Sequence, residues 1–265
     1  MAKPTRRGSI GSAGGGGGRQ MAAPTAFREE TAEQKAYYDA QFDALNRQLN
    51  ARYGLTLDPS LRDREDFKGI RDSIYGVESV LREFPGAEKY LPGMRLGSDD
   101  ADPDTYAYAN SANNSVTLGA ALYMNYKTVG ALMQNDVNAG FHPKGSTSMS
   151  VAQHETGHLI SYAAARKLGY DILDVNRRNA AMREIVERAY SRAPIQGWLQ
   201  RQGHNTVYKA KNTISGYAQY AQYRGGIVNW NETVAEAVSD YMSNRSRANP
   251  FSRQIVRELK SILRS

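Results

Sequence analysis

The sequence predicts an α+β fold, mostly helical with a small sheet, and three observations carry that expectation. Apolar residues recur at helical spacing along several stretches, the mark of amphipathic helices. Only Thr105 to Asn110 and Ser115 to Leu118 show the period-two alternation of strands, through Tyr106, Tyr108, Val116 and Leu118. At 265 residues the chain fits one domain, or a domain with an extension, and can bury a real core.

Residues 1–25 are dominated by Gly, Ser, Ala and Arg, with Gly14 to Gly18 in a row, and read as a disordered basic tail. No Gly-Lys-Ser/Thr follows these glycines and no strand precedes them, so they are not a phosphate loop. Residues 26–90 read as a helical N-terminal extension. One helix is expected from Phe27 to Tyr53, with Tyr38, Phe42, Leu45 and Leu49 on one stripe and Gly54 at its end. A second is expected from Asp66 to Phe84, carrying Phe67, Ile70, Ile74, Val77 and Leu81, with Pro85-Gly86 as its stop.

Residues 91–265 form the expected main domain. Asp100, Asp102 and Asp104 have the spacing of the first three ligands of a calcium loop. Thr105 stands where that loop needs Gly, however, and Ser111 where it needs a bidentate Glu, so a solvated acidic turn is expected. The strand pair follows, with a turn around Asn113-Asn114. Further helices are expected at Thr128 to Val137, Ser146 to Leu168, Asn176 to Arg192, Asn231 to Met242 and from Asn249-Pro250 onward. Residues 193–230 read as irregular and include Tyr217, Tyr220 and Tyr223.

Composition removes several function classes. The chain has no cysteine, which excludes disulfides and thiolate metal sites. No apolar run is long enough to span a membrane, and the N-terminus lacks the apolar segment of a secretory signal. The net charge of +7 divides into +4 over residues 1–20, +5 over residues 243–265 and −2 between them. A nucleic-acid protein usually carries its basic stripe on the folded body. Here only the ends are basic, so any contact with a polyanion would belong to the tails.

The chemistry is concentrated at His154-Glu155-Thr156-Gly157-His158. Residues four apart on a helix lie about 40° apart and one turn along, so His154 and His158 share a face and can bind one zinc ion. Glu155 projects roughly 100° away and suits a base beside the metal, not a third ligand. This is the His-Glu-x-x-His arrangement of zinc hydrolases. His142, in the loop Phe141-His142-Pro143-Lys144-Gly145, is close in sequence but reads as structural. The best source of a third ligand is the helix opening at Asn231, where Glu232 and Glu236 share one face and Val234, Val238 and Tyr241 the other. Spacing alone equally allows a polar outer face.

His-Glu-x-x-His followed on a later helix by Glu-x-x-Ala-Glu-Ala resembles the gluzincin metallopeptidases, in particular lethal-factor-type zincins and zincin-like proteins encoded beside phage head-morphogenesis genes. The resemblance covers about Tyr106 to Met242 and includes the Phe141–Gly145 loop and Ile214-Ser215-Gly216-Tyr217-Ala218. It implies a zincin-like fold in which the sheet's edge strand flanks the motif helix. It makes His154, His158 and Glu232 the zinc ligands, Glu155 the general base, and Glu236 the residue that orients a ligand histidine. Tyr217 takes the place of the tyrosine that hydrogen-bonds the oxyanion, although Gln219 to Trp230 reads as an insertion and leaves Tyr220 and Tyr223 as rivals.

The implied activity is peptide-bond hydrolysis by a zinc-activated water. The implied substrate is an extended peptide or protein that adds to one of the two strands between Thr105 and Leu118. The alternatives are a phage-associated structural or interaction protein with a structural zinc, and a toxin-type zincin. Virion or toxin-delivery partners follow from the same resemblance, while the lack of a signal peptide or membrane span leads to the expectation of a cytoplasmic or virion-associated location.

Overall fold

The computed structural model describes residues 9–11, 32–62, 67–99, 105–120, 126–223 and 225–265. Five strands form one mixed sheet in the order β1-β4-β5-β3-β2. They are β1 (Ser9–Gly11), β2 (Thr56–Leu57), β3 (Arg95–Asp99), β4 (Thr105–Asn110) and β5 (Ser115–Gly119). β4 and β5 form the expected antiparallel pair, from Ala107 opposite Leu118 to Asn110 opposite Ser115. The turn between them needs a left-handed residue, and Asn114 supplies it with φ of +53°. β5 also pairs in parallel with β3, so β5 is an interior strand. Of the two strands proposed as a docking edge, only β4 has an outer side, and β1 lies antiparallel along part of it.

The helices are α1 (Ala32–Tyr53), α2 (Phe67–Glu83), α3 (Tyr126–Asn138), α4 (Ser148–Lys167), α5 (Val175–Tyr190), α6 (Ala193–Arg201), α7 (Val207–Ala210), α8 (Gly216–Tyr220), α9 (Trp230–Asn244) and α10 (Pro250–Arg264). The sequence stripes become core, with Phe42 and Leu49 buried from α1 and Ile70, Ile74, Val77 and Leu81 from α2. Met182, Ile185 and Val186 of α5 and Ile255, Leu259 and Ile262 of α10 join the same cluster. Residues 32–90 are thus not a separate layer. They supply β2 to the sheet and α2 to the face of α4.

One expectation is corrected, one helix boundary moves, and two strands are added. Residues 193–230 are not irregular but carry α6, α7 and α8 and a 3₁₀ turn at Lys211–Thr213. These pieces are too short to show periodicity and depend on local caps. Ser215 Oγ, for example, accepts the Ala218 N–H at 3.0 Å to start α8. The motif helix is capped at Thr147, whose N–H donates to Ser150 Oγ at 2.9 Å. β2 and β3 went unforeseen because each is short and gains its regularity from a partner strand. Asp99 ends β3 and accepts the Tyr108 hydroxyl at 3.1 Å, while residues 100–104 of the expected acidic turn lie outside the described residues. The tail expected to be disordered over 1–25 is described only at β1.

Helix α4 is the centre of the molecule. It packs on α9, α2, α10 and the β4–β5 face of the sheet, and nearly every residue from Ser148 to Ala165 is buried. Its hydroxyls are satisfied locally. Thr156 Oγ1 donates to Ala152 O at 2.6 Å and Ser161 Oγ to His158 O at 2.7 Å.

At the far end of α2, Glu83 ties three helices together. It accepts Tyr241 Oη at 3.0 Å and Arg245 Nη1 at 2.6 Å, and also binds Lys260 Nζ. Two of the basic residues that made the C-terminal end look free are therefore engaged. Burial opposes ionisation of Glu83, but Lys260, Arg245 and Tyr241 outweigh it and hold its pKa below the ordinary value. A carboxylate depressed in this way contributes stability above its unfolded pKa and loses it as pH falls through the folded value. Glu83→Gln is expected to cost about 1–2 kcal/mol near neutrality. In pH-dependent melting, the gap to wild type should close as pH falls below the range where glutamate titrates.

Candidate metal centre

The motif becomes a site because α4 and α9 approach at Gly157. A Cβ on Gly157 would meet Ala235 Cα at 3.1 Å and Val238 Cβ at 3.1 Å. Glycine there lets the backbones come close enough for Glu232 to reach the histidine pair. Glu232 and Glu236 face inward, each 1 % exposed, so the polar outer face that their spacing allowed is not what forms.

His154 Nε2 lies 3.1 Å from Glu232 Oε2, and His158 Nε2 lies 3.3 Å from the same oxygen. Zinc–nitrogen and zinc–oxygen bonds of roughly 2.0–2.2 Å place tetrahedral ligands about 3.3–3.5 Å apart. Ligand atoms of all three residues lie within 4.8 Å of one another. The donor set and its spacing therefore fit a tetrahedral metal with one coordination position left over. Buried polar atoms that complete no hydrogen bond also gather here, among them both nitrogens of His158 and both oxygens of Glu155. Such atoms are rare in native cores and ask for a ligand or a chemical role.

The surrounding residues fix the ligands. Asn229 caps α9 by accepting the Asn231 N–H at 3.2 Å, and its Nδ2 donates to Glu232 Oε1 at 3.3 Å. That leaves Oε2 for the histidines. Glu236 Oε1 lies 2.8 Å from His154 Nδ1, the contact expected of a residue that orients a ligand ring. The Tyr162 ring stacks on His158 at 6.3 Å and 17°, with the Arg178 guanidinium over it. Asn231 joins the two helices by accepting Ser161 Oγ at 3.1 Å and donating to Tyr162 Oη at 3.4 Å.

Electrostatics sort the carboxylates into two kinds. Burial works against charge on Glu232 and Glu236, yet the imidazoles around them hold both pKa values far below the ordinary range. Burial likewise disfavours His154⁺, but Glu232 and Glu236 outweigh it and raise its pKa. Glu155 behaves oppositely. Burial pushes its pKa well up, Glu232 and Glu236 add to that, and His154 and the Ala109 amide of β4 only partly counter it.

Of the three rival tyrosines, Tyr217 is brought to the site, its ring 5.9 Å from that of His154. Burial first, then the charges of Glu232, Glu155 and Glu236, raise its pKa and keep the phenol a donor. Tyr220 is 58 % exposed, while Tyr223 lies against Arg178 and also feels the charge of Glu232. His142, read from the sequence as structural, is buried beside Glu236. Tyr162 and Asn229 carried weak signals: a position one turn beyond His158, and an Asn two residues before the first helical Asn.

Compared with known proteins, the chain matches no family model, no curated protein and no solved structure. Its reading rests on the geometry above. Among the described residues no helix is long and apolar enough to cross a membrane.

Two comparisons test the centre. Gly157→Ala raises helix propensity but pushes α9 away, and is expected to lower zinc affinity about tenfold or more. Glu232→Ala should lose more zinc than Glu236→Ala, for which a 10- to 100-fold weakening (roughly) is expected. Competition titration with a chromophoric chelator measures both, and the reverse order would move the ligand to Glu236.

Proposed function

We propose that this chain is a zinc-dependent metallopeptidase of the zincin type, with His154, His158 and Glu232 holding the metal. The observation that carries the reading is the convergence of two imidazoles and one carboxylate at tetrahedral spacing, beside a second buried carboxyl group, that of Glu155. Zinc bound there would supply a Lewis acid that brings the pKa of water toward neutrality and polarises a carbonyl. Glu155 would take the proton from the attacking water and deliver it to the leaving amine. Its place beside His154 and the Ala109 amide puts its carboxyl group next to the metal position. The Tyr217 hydroxyl would donate to the oxyanion, assisted by the burial that keeps it protonated.

The outer edge of β4 supports recognition of an extended peptide. It is the edge nearest Glu155 through Ala109, and its pairing with Ser9–Gly11 shows the hydrogen-bond pattern that an added antiparallel strand would use.

A second reading, a structural zinc in an interaction protein of the virion type, draws on burial. His154, Glu155, His158 and Glu232 are at most 2 % exposed, as in a metal staple. The two readings differ at Glu155. Glu155→Gln should keep zinc while lowering cleavage of a denatured protein by about 10³-fold or more. Tyr217→Phe should lower kcat about 10²-fold with little change in KM. Cleavage by Glu155→Gln at the wild-type rate sinks the hydrolytic mechanism. Zinc-dependent melting without any cleavage by the wild-type chain favours the staple.

A further inference from the structure

We infer that His142 is a positioning residue for the metal centre, acting through Glu236 on the ligand His154. The inference rests on the metal-site reading above and adds a residue that the motif does not contain.

His142 is 4 % exposed, and its Nδ1 lies 3.5 Å from Glu236 Oε1. The same oxygen lies 2.8 Å from His154 Nδ1, so one carboxylate oxygen faces two imidazoles. A carboxylate only accepts hydrogen bonds, so either ring can bond to it only through an N–H at Nδ1. The approach of Glu236 to His154 Nδ1 favours the ring form that carries its proton there, which with a metal bound would leave Nε2, 3.1 Å from Glu232 Oε2, as the ligand atom. Glu236 Oε2 completes no hydrogen bond. The orientation of Glu236 therefore depends on what meets Oε1, and His142 is half of that. Without it, a buried carboxylate keeps one partner and can rotate about its last bond. His142 is not a fourth ligand, since the ligand atoms that lie within 4.8 Å of one another are those of His154, His158 and Glu232 alone among the described residues.

The loop bearing His142 is itself pinned. Phe141 N donates to Asp136 O at 2.8 Å, closing the end of α3. Gly216 N and Tyr217 N donate to Gly140 O and Phe141 O, each at 2.9 Å. Gly216 fits because it lacks a Cβ, which would stand 3.1 Å from Gly140 O and 3.2 Å from Phe141 Cα. The Phe141 ring meets the rings of His142 and Tyr217 edge-on at 5.2 and 5.3 Å. One backbone clip thus sets both the residue that steadies His154 and the tyrosine beside it.

The test is zinc affinity of the full chain, measured by chelator competition, with melting of the metal-free and zinc-loaded forms alongside. His142→Leu is expected to weaken zinc about 10- to 100-fold. His142→Asn, whose amide nitrogen stands close to the position of Nδ1, should restore most of the affinity. His142→Gln, which moves that nitrogen one bond further out, should not. A merely structural role would lower both melting temperatures and leave zinc affinity alone. Equal affinity in wild type, Leu, Asn and Gln variants overturns the inference while leaving the metal site standing. A wild-type chain with no zinc affinity overturns both.

Discussion

The close crossing of α4 and α9 governs this molecule. Gly157 removes the one side chain that would hold the helices apart, and the contact is backbone against backbone at Ala235. What it brings together is unusual for a core: His154, His158, Glu232, Glu236 and Glu155, all within the most buried layer. Buried charge is tolerated only when it is paired or coordinates a metal. The histidine–glutamate contacts meet that requirement for four of the five groups, and they do so only while the crossing stays tight. Packing and electrostatics are therefore one constraint here, since loosening the first would strand the second.

That constraint sets the limit of what the sequence discloses. The His154/His158 pair is legible because a helix fixes the relation of residues four apart, and the strands Thr105–Asn110 and Ser115–Gly119 because alternation is local. Glu232 was legible as a candidate, but its spacing with Glu236 suited a solvated face as well as a buried one. Only the crossing decides between them, and a crossing is a long-range fact. The same holds for His142, which stands 94 positions from Glu236 in the chain and whose partner no local pattern names. The choice of Tyr217 over Tyr220 and Tyr223 rests on the backbone clip to Gly140 and Phe141, two more contacts between distant segments. β2 and β3 escaped notice for a related reason. β2 has only two residues and pairs with β3, which in turn pairs with β5, so both take their place from partners distant in sequence.

The N-terminal helices gain a role that a tail-plus-extension reading does not give them. α2 lies along α4 so closely that a Cβ on Gly76 would stand 3.0 Å from Met149 O. Through Glu83 it also holds the ends of α9 and α10. α4 is thereby clamped from α2 on one side and α9 on another, and the ligand geometry inherits the rigidity of both. A site that must hold three ligands within a few tenths of an ångström benefits from such a frame more than from loops.

Glu155 is the residue that separates the two readings of the metal. A structural zinc accounts for His154, His158 and Glu232, and the need to orient them accounts for Glu236 and Asn229. None of this calls for a carboxyl group at position 155. Glu155 is fully buried with only the Ala109 amide and His154 to offset its charge, and a buried carboxyl group costs more there than an apolar side chain. A core built for stability alone would be better served at 155 by an apolar residue. A carboxyl group one residue from His154 and facing the β4 amide of Ala109 stands where the proposed hydrolysis needs a proton acceptor, a task that a structural zinc does not give it.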